Sequence, residues 1–230
     1  MSALLAACGS APPAAAGAAA AAAERDYTLV YLVTGSRTDL SQAESNKVFA
    51  GHFANMERLA REGHLLVAGP FGKQKSDPKL RGIFVLATGD RGRARELAQS
   101  DPGVQAGVFE LEFHALATNA PLPRLLAKEL ADRDAERAAG RTTQPAERIR
   151  GYVLLIAADG ERAFAALRGH PAVLLLGRLD AGQAFAVVDA ADRAAAERAL
   201  DGVRARLGEH RLEEWAATRN VALLPQLADA

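Results

Sequence analysis

The chain has 230 residues, 49% of them hydrophobic and 24% charged. That is an ordinary globular balance, with length for one large or two small domains. The 28 basic and 28 acidic side chains cancel, no stretch concentrates positive charge, and aromatics make up only 5%, so nucleic-acid binding is not expected.

The single cysteine, Cys8, excludes an intrachain disulfide and a thiolate metal site. Its surroundings, "LAACGS", resemble the lipobox of bacterial lipoproteins, in which the cysteine is lipidated, and "APPAAAGAAAAAAERD" has the composition of a tether. Only seven residues precede Cys8 and none is Lys or Arg. An export signal would therefore have to extend upstream of Met1. The resemblance implies residues 1–25 as leader and tether and a lipid-anchored protein of the cell envelope. The alternative is an alanine-rich leader on a cytoplasmic protein. No other apolar run approaches the roughly 20 residues that cross a bilayer.

The folded part alternates between strand and helix periods. "YTLVYLVTG" (Tyr27 to Gly35) reads as a strand closed by glycine. From Ser41 to Glu62 the apolar residues Phe49, Phe53, Met56 and Ala60 recur at helical spacing, with Asp39 or Ser41 as cap and Gly63 as stop. "HLLVAG" is a second strand ended by Gly69-Pro70, "KQKSDPKLRG" a lysine-rich loop, and "IFVLATG" a third strand. "DRGRARELAQS" is a short helix with Asp90 at its start, and "GVQAGVFELEFHAL" a fourth strand. The order β-α-β-β-α-β is the ferredoxin-like arrangement. Residues 119–149, with proline near both ends and a charged middle, read as a helical linker ending in a flexible turn.

The second half repeats the first. "RGYVLLIAADG" matches the first strand and "ERAFAALRG" is a shortened first helix. "PAVLLLGRLD" places Gly177-Arg178 where Gly69-Pro70 stood. "GQAFAVVDAADRAAAERAL" matches "GIFVLATGDRGRARELAQS", and "RLEEWAAT" matches "ELEFHALAT", aligning His114 with Trp215. The expected class is α+β: two ferredoxin-like domains, 26–118 and 150–222, whose open sheet faces pack as an internal pseudo-dimer of the dimeric α+β barrel type.

These residues resemble the YCII-related (YciI-like) domain family. The features that carry the likeness are His52 on the first helix, "RLAREGHLLVAGP", the corner Ala68-Gly69-Pro70, the Asp101-Pro102 pair and the alternating strand "GVQAGVFELEF". The resemblance covers roughly 26–118 and weakly 150–222, which makes the second copy degenerate. It implies His52 and Asp101 as the catalytic pair, with no general substrate. The second copy lacks the histidine: the place of His52 falls near Gly160 or Glu161, and Asp201 stands roughly where Asp101 did.

On a helical wheel His52 lies between Leu59 and Met56, so pattern alone reads it as a core residue. The resemblance reads it as a proton carrier, since imidazole exchanges protons near neutrality, with Asp101 fixing its orientation as the acid does in a triad. Asp101 is otherwise a turn residue. Gly69 and Pro70 stop a strand, and their backbone is also a candidate to bind substrate. His64 is expected to be exposed and His114 to pack at a strand end. No histidines have ligand spacing, so neither a metal nor a bound cofactor is expected. The partner is a small organic molecule, with a homo-oligomer open and a membrane reached only through the lipid anchor. The competing reading is a non-catalytic envelope binding module.

Overall fold

The computed structural model describes residues 23–141 and 145–228. In chain order the elements are β1 (Arg25–Thr34), α1 (Gln42–Arg61), β2 (Leu65–Pro70), β3 (Leu80–Leu86), α2 (Arg91–Gln99), α3 (Pro102–Gln105), β4 (Phe109–Thr118), α4 (Leu122–Ala138) and α5 (Pro145–Arg148). They continue with β5 (Ile149–Ala157), α6 (Gly160–Leu167), β6 (Val173–Leu179), β7 (Ala184–Val188), α7 (Arg193–Ala199), α8 (Asp201–Arg204), β8 (His210–Thr218) and α9 (Leu224–Ala228).

All eight strands join one antiparallel sheet in the order β2-β3-β1-β4-β6-β7-β5-β8. Each run of four is hydrogen-bonded in the ferredoxin-like order. The halves meet edge to edge rather than by simple stacking. β4 pairs β6 through Leu116↔Leu179, Ala117↔Arg178 and Thr118↔Gly177. At the other end Phe71 bridges Trp215, and the Gly72 amide donates to the Glu214 carbonyl at 2.7 Å. The sheet is thereby nearly closed into a barrel.

The strand period sorts the side chains. Tyr27, Leu29 and Tyr31 of β1 meet Tyr152, Leu154 and Ile156 of β5 in one interior cluster. The intervening Val30 and Leu32 lie under α1 and α2, and Val153 and Leu155 lie under α6 and α7. Burial inside the barrel raises the Tyr31 phenol above its ordinary range, against the opposing charge of Arg211.

Three expectations change. Residues 102–105 form α3 instead of continuing into the fourth strand, because Asp101 caps them and Pro102 suits the first helical position. α4 is part of the core: Leu122, Leu125 and Leu126 are buried against the interior cluster. The register also moves the alignment of the last strands. Leu116 stands opposite Tyr27 and Trp215 opposite Tyr152. Leu29 and Leu154 face His114 and Glu213 respectively, so the counterpart of His114 is Glu213, not Trp215. Cys8 and the leader lie outside the described residues. Among those described, no helix is long and apolar enough to cross a membrane.

Candidate functional site

α1 is fixed at its start by a capping box: the Ser41 hydroxyl accepts from the Glu44 amide, and the Glu44 carboxylate accepts from the Ser41 amide. Such a cap is worth about 1 kcal/mol. Three and seven residues after His52, Asn55 and Leu59 share its buried face. Gly51, on the next position round, meets α3. A Cβ there would come within 3.0 Å of the Pro102 ring, so the glycine sets how closely α3 approaches.

That approach joins two residues 49 positions apart. His52 Nδ1 lies 2.7 Å from Asp101 Oδ2. The other carboxylate oxygen of Asp101 accepts from the Gly103 amide at 2.7 Å, so both are engaged. Asp101 is wholly buried and His52 is 8% exposed. Gly103 is needed beside it, because a Cβ would stand 2.6 Å from the Phe109 ring. The imidazole lies nearly parallel to Phe84 at 6.0 Å, with Phe53 and Phe109 each 5.3 Å away. With Nδ1 held by the carboxylate, Nε2 is the nitrogen left for other chemistry.

His52 forms part of the wall of a cavity of about 180 Å³, together with Phe49, Phe53 and Met56 of α1, Gly69 and Pro70 of β2, and Arg81 and Gly82 of β3. The structure therefore gathers His52, Gly69 and Pro70 around one space and sets Asp101 behind the histidine, out of the wall. Both readings of His52 describe something real, since it is buried among apolar groups and also reaches a cavity. Residues 29–112, which hold all of these groups, match one family. They form a YCII-related domain. Compared with curated proteins and with solved structures, the chain finds no match.

The YCII-related domain departs from expectation elsewhere. Phe53 is 62% exposed and stands at the cavity instead of in the core. Asp101 is the cap of α3, not a plain turn residue. His64 is half-buried, 3.4 Å from Arg93. His114 lies within β4 and pairs with Asp180 at 2.9 Å, edge-on to Tyr31. Outside the domain, Asp201 does not repeat Asp101: Leu200 holds the cap position of α8, and Asp201 is exposed.

One site residue escaped the sequence reading and another was not singled out by it. Gly103 stands in the sequence as the first residue of the expected fourth strand, and only the packing of Phe109 requires it. The sequence groups Arg81 with Lys73, Lys75 and Lys79 as a solvated loop whose charge could also attract an acidic substrate to a pocket beside the Ala-Gly-Pro corner, without singling it out. The signal that separates it is a β-bulge: Leu32 pairs with Gly82 and Val33 with Leu80, so Arg81 has no partner on β1.

Proposed function

We propose that the chain is a small-molecule enzyme in which His52 moves protons and Asp101 orients it. The observation that supports this most is the 2.7 Å His52–Asp101 pair at the wall of a cavity. With Nδ1–H donated to the carboxylate, the ring presents the Nε2 lone pair. Nε2 takes a proton from an acidic C–H or O–H of the bound molecule. Asp101 stabilises the resulting imidazolium without itself accepting the proton, and the proton returns to a different atom of the substrate. General acid–base catalysis of this kind supplies about 10²–10⁴-fold. The backbone at Gly69 and Pro70, which also lines the cavity, binds the substrate. The reading uses no cofactor, metal or nucleic acid.

The halves fit an internal pseudo-dimer: domain 26–118, linker 119–149 and a degenerate domain 150–222. Register supports this. Gly69 stands opposite Ile83 as Gly177 stands opposite Phe185, and the junctions Leu116↔Leu179 and Trp215↔Phe71 use corresponding positions. On this view the second domain closes the barrel that a second chain would otherwise close. An N-terminal lipid on Cys8 would hold the protein at the envelope, and cytoplasmic residence is the alternative. The mass of the mature N-terminal peptide tells them apart.

A second reading, a non-catalytic binding module, draws on the burial of His52 among four phenylalanines, where the pair would act as a structural clamp. The test is hydrogen exchange. Small carbon acids and phenols are incubated with the protein in D₂O and deuterium uptake is followed by NMR. The expected result is uptake at one substrate carbon that falls about 100-fold in His52→Gln and partly in Asp101→Asn. Uptake unchanged in both variants sinks the enzymatic reading.

A further inference from the structure

We propose that the cavity beside His52 takes a single-ring aromatic molecule bearing one anionic oxygen group, and that Arg81 holds the charge. This rests on the cavity being the site and gives that site a ligand class.

The bulge carries the first part of the argument. An extra residue in one strand bends it and re-aims a side chain, and here that residue is Arg81. Its neighbour Gly82 has no side chain to fill the space, and a Cβ there would stand 2.7 Å from the Gly69 carbonyl oxygen. Arg81 is exposed, lines the cavity, and has no ion pair among the described residues. Several cations of this half that do not line the cavity are engaged: Arg37 with Asp39, Arg58 with Glu62, Arg61 with Glu57, Arg93 with Glu96, and Lys75 with the Leu80 carbonyl, whereas Arg25 and Lys79, also outside the lining, have no ion pair among the described residues. Arg178, near the corresponding corner of the second half, lies 4.0 Å over the Phe164 ring and pairs with Glu24. Among the residues that line the cavity, Arg81 is the one arginine or lysine.

The remaining wall sets the body of the ligand. It contains no carboxylate, and Phe49, Phe53 and Phe109 offer aromatic surface. An apolar cavity of roughly 150 Å³ accommodates benzene, so about 180 Å³ suits one ring with small substituents. His52 is a poor anion holder by itself, because the buried Asp101 carboxylate lies 2.7 Å behind it. With the imidazole neutral, that pair carries a negative charge that repels an anion. A guanidinium in the same cavity lining supplies the compensating charge and a two-pronged donor for an oxyanion.

The test titrates benzoate and its neutral isostere benzamide into the ¹⁵N-labelled full chain, reading amide shifts at Phe49, Phe53 and Met56. The expected result is benzoate binding at least about tenfold more tightly than benzamide, the factor of a charge-assisted hydrogen bond. Arg81→Gln brings the two within about twofold, Arg81→Lys keeps most of the preference, and Lys79→Gln leaves it intact. Arg81 is exposed, and a thermal melt confirms that each variant is folded. Three outcomes overturn the proposal: no shifts at the cavity with either ligand, equal affinities in the native chain, or a preference that survives Arg81→Gln and vanishes in His52→Gln. Binding needs no turnover. If deuterium exchange fails while an Arg81-dependent preference persists, the catalytic reading falls and this one stands.

Discussion

The two halves of the sheet share a strand order and differ in the helix laid across it. α1 has 20 residues and α6 has 8. The extra length carries Phe49, His52 and Phe53 over the end of the sheet, where α3 and Phe109 meet them. In the second half the helix starts flush with the sheet: a Cβ on Gly160 would stand 2.3 Å from the Gly182 carbonyl oxygen. Phe164 and Arg178 pack on one another there. A closed barrel alone therefore does not make the cavity. Surplus helix, kept close by Gly51 and Gly103, makes it, and the comparison shows which residues to disturb.

The largest contrast is expected between two aspartates. Asp101 is wholly buried, caps α3 and partners His52, so Asp101→Ala removes a cap and leaves a buried imidazole without its carboxylate. The expected loss is about 3–5 kcal/mol. Asp201→Ala, at an exposed position, should change stability by less than about 0.5 kcal/mol. Urea unfolding of both variants measures the difference, and comparable losses would mean that the second half keeps a hidden equivalent of the pair.

A somewhat smaller contrast separates two glycines at matching register positions. A Cβ on Gly69 would lie 1.8 Å from the Ala216 carbonyl oxygen, a backbone atom across the closing junction. On Gly177 the nearest atoms are less close, the Leu116 side-chain Cδ1 at 2.7 Å and the Ala117 carbonyl oxygen at 3.0 Å. Gly69→Ala should cost about 3 kcal/mol and Gly177→Ala about 1 kcal/mol. Equal shifts in melting temperature would show that the two junctions are equally tight. For the proposed chemistry, His52→Gln should slow exchange about 100-fold, or about 2.7 kcal/mol, while Glu161→Gln at the corresponding helix start should leave it unchanged.

What the sequence made legible follows from where the determinants lie. Strands whose residues alternate or are β-branched, and a helix with Ser41 and Glu44 at its head, declare themselves locally. The His52–Asp101 pair does not, because its members are 49 residues apart and the helical wheel assigns the histidine to the apolar arc. Only the family resemblance linked them. α3 was hidden because Asp-Pro-Gly is equally good as a turn. The core role of α4 was masked by its many charges, although Leu122, Leu125, Leu126 and Leu130 keep helical spacing. Arg81 could not be told from its neighbouring lysines for a different reason: a bulge is a property of two strands in register, and no single segment encodes it.

α4, which follows β4, has 17 residues against the 5 of α9, which follows β8, and it supplies the smallest expected effect. It ties the site helix to the second half of the chain. Arg61 of α1 pairs with Asp134, Arg133 pairs with Glu57 of α1, and Asp132 accepts from Asn220 beyond β8 at 3.0 Å. The Lys128 ammonium donates to Asp132 and, with Asn220, holds its carboxyl below the usual 3.8 despite the opposing effect of partial burial. A carboxylate with a lowered folded pKa stabilises the protein above its unfolded value and loses that contribution as pH falls through the folded one. Its side chain is 41% exposed, so solvent screening limits the gain to about 0.5 kcal/mol or less. Asp132→Asn should therefore lower the urea midpoint slightly at pH 6 and leave it indistinguishable from the native chain at pH 2. A gap that persists in acid would mean that the tie to Asn220 depends on shape and hydrogen bonding, not on charge. α4 would then anchor the two halves equally well whether or not Asp132 is ionised.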